Sequence, residues 1–469
     1  MALNNMHNKI ILILASAACV SSYIFRPDRM FDSDTLWHIK AGEWIIAHRA
    51  IPTTDTFSWT VPGTTWIAHE WLFELAVGLA AKIHPIAIAV FSAVIILVGL
   101  YFYLNLINRI VDSETTSMFF YIFALLLLSP GWAARPQLIG YTLFIIVLSL
   151  LYRGKESPKV LWLLPIVILL WANFHASVIL GLAVIGLEAV LSFAPKFETC
   201  NIKHIPGNKK NLIYVLFSCI AASLINPHGF NLWLFSFKLS IDPAYKNIQE
   251  WQPPGSIVET SLIFAIITMA IFFLASRKNK ADLSFFILSL ITLLGTMTSS
   301  RHFIYFVIVW VIFLAQLAGK MEYSRIMISL IGVLMAVVFI IKLFTSSWQG
   351  FEPRAMAEKA EWPVQAVDWL EENQAERIFN SYNWGGYLIY RGIPVFIDGR
   401  ADMYHMAGTE EDVFIDYIDF QKFKQPPEDI LQKHNVEYVL LPSEAWQVHY
   451  LEKCGWSEVY KDEIATVLK

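Results

Sequence analysis

The chain reads as a polytopic all-α membrane domain of about eleven transmembrane helices with a small α/β domain at its C-terminus. Of 469 residues, 56% are hydrophobic and only 16% are charged, where soluble proteins carry about 25% charged residues. Apolar runs approaching the roughly 20 residues that cross a bilayer recur up to Phe344. Beyond Phe344 the composition turns charged, mixed and turn-rich, which marks a separate domain.

The expected spans lie near 9–25, 86–107, 116–130, 137–152, 160–174, 177–194, 211–226, 258–276, 283–299, 303–319 and 325–345. Their orientation follows from the basic loops. With a cytoplasmic N-terminus, the inner loops hold Arg109; Arg153, Lys155 and Lys159; Lys196, Lys203, Lys209 and Lys210; Arg277, Lys278 and Lys280; and Lys320 with Arg325. Cytoplasmic loops favour such residues. Arg26 and Arg29 run against the rule, so the later loops decide. Trp66 to Pro85 is apolar yet opens with His69, Glu70 and Glu74. A span here would invert every later loop, so it reads as an interfacial or re-entrant helix. The first outside loop is then long, about 26–85. A cleaved signal and a lipoprotein box at Ser16-Ala17-Ala18-Cys19 are the weaker readings of the first span.

The domains expected are therefore 1–348, holding the membrane helices and the 26–85 loop, and 349–469, extracytoplasmic. In the latter, a helix is expected at Trp362–Glu372, strands at Arg377–Phe379, Val395–Ile397 and Tyr438–Leu441, and helices near 411–420 and 427–434. No repeat of about 20–50 residues is visible. A net charge of −4 with dispersed basic residues gives nucleic-acid binding no support. The four cysteines are scattered, so neither a disulfide nor a thiolate metal site is expected.

Every polar motif suited to chemistry falls on the same, outer side: Asp32-Ser33-Asp34, His69-Glu70, Arg135-Pro136-Gln137, Asn173-Phe174-His175, Asn226-Pro227-His228-Gly229, Glu250-Trp251 and Arg301-His302. Carboxylates next to hydrocarbon are costly and usually functional, so Asp34, or its neighbour Asp32, is the candidate general base. A divalent cation on these oxygens is the one cofactor suggested, with no ligand set assigned. The competing reading of the aspartates is an N-cap. Arg135, Arg301 and His302 are candidate phosphate contacts, since a guanidinium clamps phosphate with paired donors; snorkelling to lipid headgroups is the alternative. His38, His69, Glu70, His175, Asn226, His228 and Glu250 complete the candidate substrate contacts. Gly385-Gly386 and Asp398-Gly399 read first as turns, with a carbohydrate-binding or lid role for the aromatic and polar clusters around them, 381–387 and 396–402, as the alternative.

The run Asp34-x-x-Trp37-His38-x-x-x-Gly42-x-x-Ile45, through Ile51-Pro52-x-x-Asp55-x-Phe57-Ser58 to His69-Glu70-Trp71-Leu72, resembles bacterial multi-spanning proteins grouped with the GT-C glycosyltransferases. So do Ala134-Arg135-Pro136-Gln137, Asn226-Pro227-x-Gly229, Trp384-Gly385-Gly386-Tyr387 and Asp398-Gly399-Arg400. The resemblance covers nearly the whole chain. It implies a long first outer loop with interfacial helices, a catalytic aspartate early in that loop, and a polyprenyl-phosphate sugar donor; Asp34 or Asp32 matches that aspartate. The chain departs from the protein mannosyltransferases in lacking their Asp-Glu pair, and its soluble domain is not their β-trefoil.

The expectation is an inner-membrane glycosyltransferase acting on a periplasmic glycan, lipid or protein acceptor. A lipid-linked glycan transporter, or a noncatalytic part of polysaccharide assembly, is the alternative. Against a transporter, Glu188 is the main ionisable residue inside a span, and no repeated halves are seen. A hydrolase would need two facing carboxylates, with Asp34 and Glu70 as the pair.

Overall fold

The computed structural model describes residues 2–24, 32–193, 209–253, 255, 263, 266, 283–318, 357–358, 362–405 and 412–469. The chain divides into two compact units, Met1–Phe25 with Ser92–Ser346, and Arg26–Phe91 with Ser347–Lys469. The expected boundary near 349 is therefore incomplete. The first loop leaves the membrane domain to which the sequence reading gave it and folds with the C-terminal segment. Buried polar pairing between 55 and 400, described below, is the physical reason.

The first unit is helical, and it is that of a multi-pass membrane protein. Pro85–Ile110, Glu114–Gly131, Pro136–Gly154 and Ser300–Ala318 are long and apolar enough to cross a membrane. Shorter apolar helices occupy Ile10–Ser21, Pro158–Phe174, Val178–Leu191, Lys210–Ser223 and Leu283–Thr298. Each expected span among the described residues coincides with one of these; 325–345 and nearly all of 258–276 lie outside them. Helix Asn231–Ile241 was not foreseen.

Sequence sets these helices locally. Ser113 caps Glu114–Leu128 by accepting the Thr116 amide, and Pro136 opens Pro136–Gly154 where its missing N–H costs nothing. All of Phe303–Ala318 except Phe303 and Gln316 is buried, so this helix is the centre of the unit. Tyr103 donates to the Ile308 carbonyl at 2.8 Å within it. Tyr101, Phe217 and Leu294 face outward, as lipid-facing side chains do.

In the second unit, helices Ser33–His48 and Trp71–Ile83 form a close pair. A Cβ on Gly42 would stand 1.9 Å from the Glu74 carbonyl oxygen, and one on Gly78 would stand 2.8 Å from the Gly42 Cα. Only glycine permits that approach. Trp71–Ile83 has 13 residues, about 20 Å at 1.5 Å per residue, against about 30 Å of hydrocarbon. Among the described residues it is not one of the helices long and apolar enough to cross a membrane.

The same unit carries a four-stranded sheet in the order β1-β2-β4-β3. β1 (Ile378–Asn380) runs parallel to β2 (Tyr438–Pro442); β4 (Ala465–Leu468) is antiparallel to both β2 and β3 (Glu458–Lys461). The crossover from β1 to β2 carries helices Gly385–Arg391, Ala401–His405, Val413–Lys422 and Pro427–Lys433. β4 is buried at every position, whereas β3 is the polar edge, its Glu458 and Lys461 discouraging further pairing.

Val395–Ile397 is not the expected strand. Instead Val395 bridges Ser58, and buried Asn380 holds the segment, accepting from the Phe396 amide at 2.8 Å and donating to the Ile397 carbonyl at 2.8 Å. Side-chain amide bonds thus replace a ladder. Gly385 and Gly386 likewise open a helix rather than a turn; a Cβ on Gly386 would meet the Ser33 carbonyl oxygen at 1.8 Å.

Candidate functional site

Asp32 is the N-cap of Ser33–His48. Its Oδ1 accepts from the Thr35 amide at 2.9 Å and the Thr35 hydroxyl at 3.0 Å, which occupies it structurally. Asp34, in the first turn, leaves the capping to its neighbour. Its Oδ1 accepts from the Trp37 indole at 3.3 Å, and the backbone at Gly399 lies beside it. That closeness comes from the Asp398-Gly399-Arg400 segment.

Arg400 fixes that segment. It donates to Asp398 through Nε at 2.9 Å and Nη2 at 2.6 Å, and to Asp55 through Nη1 at 2.9 Å. All three side chains are buried, and Tyr404 donates its hydroxyl to Asp398. Asp55 also accepts from the Ser58 amide and hydroxyl. The guanidinium lies 4.9 Å from the Trp66 ring centroid and 5.1 Å from that of Phe57, close enough for cation–π attraction. A buried charge this fully paired is stable in place and strongly destabilising if one partner is lost.

Beside it runs a buried acid and imidazole cluster. His38 lies with Nε2 3.6 Å from Glu70 and Nδ1 3.6 Å from Glu74, and its ring lies tilted against Trp37 with the centroids 3.6 Å apart. His69 Nε2 is 3.4 Å from Glu70, and its Nδ1 donates to the Ile67 carbonyl. Burial opposes the charge on His69, yet Glu70, helped by Asp402, overcomes it and raises the imidazole to about 9. Burial raises the Glu74 carboxyl. Burial likewise raises Asp402. Glu70 makes no side-chain cap to the helix it precedes; its carboxylate faces two imidazoles.

In the first unit, Arg135, Glu250 and Arg301 converge. Arg135 Nη1 donates to Glu250 Oε1, while Arg301 donates through Nε and Nη2 to Oε2 at 3.2 Å each. The Arg301 guanidinium lies 4.5 Å from the Trp251 ring centroid. Burial disfavours the Glu250 carboxylate, but the two guanidiniums hold it down at about 2. Two guanidiniums thus share one carboxylate.

The remaining candidates make local contacts. His175 pairs with the Ser177 hydroxyl at 2.6 Å. Asn226 shapes its own turn, accepting the His228 amide at 2.8 Å and donating to the Ser223 carbonyl at 2.8 Å, with Gly229 at φ +52°. His302 packs against Gly295, and its buried Nδ1 has no hydrogen-bond partner among the described residues. Glu188 is buried in Val178–Leu191. Among the described residues, no group of three or more His, Cys, Asp or Glu side chains is arranged to hold a metal ion.

Sequence reasoning missed Trp37 as the partner of Asp34, and read Asp398-Gly399 first as a turn. The density of Asp398, Gly399, Arg400 and Asp402 within five positions was the available signal.

No family model and no curated protein matches the chain. Solved structures do. The oligosaccharyltransferase AglB from Archaeoglobus fulgidus, in complex with an inhibitory peptide and a dolichol-phosphate, aligns with TM-score 0.57 at 12% identity over 93% of this chain and 69% of that one. ArnT from Cupriavidus metallidurans, bound to undecaprenyl phosphate, aligns with TM-score 0.53 at 12% identity over 100% of this chain and 98% of that one. At this identity the likeness is one of fold. The chain has the GT-C glycosyltransferase fold.

Proposed function

We propose that this protein is a membrane glycosyltransferase that moves a sugar from a polyprenyl-phosphate carrier to an acceptor hydroxyl or amine on the outer face of the inner membrane. The observation that carries the reading is the convergence of Arg135 and Arg301 on one anion position in a chain of this fold. Both solved neighbours cited here hold a polyprenyl phosphate in their structures, which supports a donor of that chemistry.

In this reading Asp34 takes the proton of the acceptor group as its oxygen or nitrogen forms the new bond to the anomeric carbon. The bond from that carbon to the phosphate oxygen breaks, and the electron pair leaves with the phosphate. Arg135 and Arg301 neutralise the charge that builds there. A phosphate leaving group needs no acid, and single-step displacement inverts the anomeric carbon. Asp32 serves by capping the helix that carries Asp34.

The test compares polyprenyl-phosphate sugars and surface glycans by mass spectrometry in a deletion strain complemented with wild type or Asp34→Asn. The expected result is an accumulated donor and one glycan lacking a residue in both the deletion and the variant. If the variant restores what the wild type restores, Asp34 is not the base, and transport or noncatalytic assembly is the better account.

A further inference from the structure

The Arg135–Glu250–Arg301 cluster has an occupant already, the Glu250 carboxylate. Its backbone is pinned without its side chain: Ser299 and Ser300 donate their hydroxyls to the Glu250 carbonyl at 3.2 and 2.9 Å, and the Ser300 amide donates to the Gln252 carbonyl at 3.0 Å. Arg301 is held independently against Trp251. Arg135 is fixed as the N-cap residue before Pro136, at the positive end of a helix dipole. Of the three side chains Glu250 is the most exposed, at 43% against 24% for Arg135 and 32% for Arg301. Rotation about the Glu250 side-chain bonds would empty the position between the guanidiniums without moving the backbone.

We infer that Glu250 is a built-in stand-in for phosphate: its carboxylate holds the two guanidiniums in register, and a phosphate group, of a lipid carrier or free, takes the position by displacing it. This rests on the donor-clamp reading above and adds a competitor to it. Displacement leaves two guanidiniums facing one phosphate, the paired geometry guanidinium groups favour. Return of the carboxylate would then help expel the phosphate left after transfer, which carries more negative charge than the donor and would otherwise be held more tightly.

The experiment measures binding of undecaprenyl phosphate, and separately of inorganic phosphate, to the full-length protein in detergent. It compares wild type, Glu250→Gln, Glu250→Ala and Arg135→Lys/Arg301→Lys, with thermal unfolding of each. Glu250→Gln keeps the hydrogen-bonding shape and removes the competing charge, so the expected Kd falls about tenfold, equivalent to about 1.4 kcal/mol. Tightening for the lipid alone assigns the position to the carrier phosphate; tightening for both ligands assigns it to the phosphate group itself. Unchanged or weaker binding by both Glu250 variants, at unaltered unfolding temperature, overturns the inference. A double lysine variant that binds undecaprenyl phosphate as the wild type does removes the donor clamp itself. One that binds weakly, beside an unaltered Glu250→Gln, removes only the displacement.

Discussion

A Cβ on Gly399 would lie 2.2 Å from Oδ1 of Asp34 and 3.2 Å from the Trp37 indole nitrogen. The proposed base is therefore pressed into its hydrogen bond with Trp37 by a backbone segment 365 positions further along the chain. Because the obstructed atom is the end of a side chain, an added methyl displaces the carboxylate and leaves the backbone alone. Gly399→Ala should fold with an unfolding temperature near that of wild type and lose transfer by at least about tenfold, about 1.4 kcal/mol of transition-state stabilisation. Gly386→Ala, whose Cβ meets a backbone oxygen, should instead fail to fold. Transfer retained in Gly399→Ala would show that this contact does not position the base.

Arg400→Met should destabilise the second unit by about 3–5 kcal/mol, because it strands two buried carboxylates. Adding Asp55→Asn to Arg400→Met should cost less than the sum of the single changes, since the two share one network. Denaturant unfolding of the four proteins in the cycle measures the coupling, and additive costs would refute it.

His69 makes stability fall with alkalinity. Its folded pKa of about 9 stands above the ordinary imidazole value of 6.5, so its contribution is complete below pH 6.5, declines between 6.5 and 9, and is absent above 9. The unfolding temperature should drop across that window in wild type and drop less in His69→Gln. Parallel profiles would show that the imidazolium contributes nothing.

Arg135→Lys should weaken undecaprenyl phosphate binding by about five- to tenfold, because an ammonium cannot supply a planar pair of donors. Its unfolding temperature should hardly change, the pair being partly exposed. Unaltered affinity would return Arg135 to a headgroup anchor.

Much of this was legible from local pattern. Hydropathy located the described apolar helices, and the competing reading of the aspartates as an N-cap is the one Asp32 takes. Arg135 and Arg301 were visible as cations at helix ends, and Glu250 as an outer carboxylate, but nothing in their spacing said that one carboxylate would bind both. Asp55 was legible only as a member of a motif, since its partner Arg400 is 345 residues away and periodicity reports only near neighbours. Val395–Ile397 misled because its β-branched composition is that of a strand, while its hydrogen bonds go to the side chain of Asn380 and to the backbone of Phe57 and Trp59. Gly385-Gly386 misled because glycine marks close packing as well as turns, and sequence does not separate the two.

The pairing of Asp55 with Arg400 also sets a schedule. At about 5–20 residues per second of synthesis, the cation follows its carboxylate by roughly 20–70 s. Throughout that interval the segment around Asp55 exists without the charge that later neutralises it, and Gly42 and Gly78 have only each other's helices to pack on. The newly made protein is thus exposed to proteases and chaperones for longer than its size alone would require. A ribosome that stops between codons 55 and 400 leaves behind a product whose Asp55 never meets Arg400.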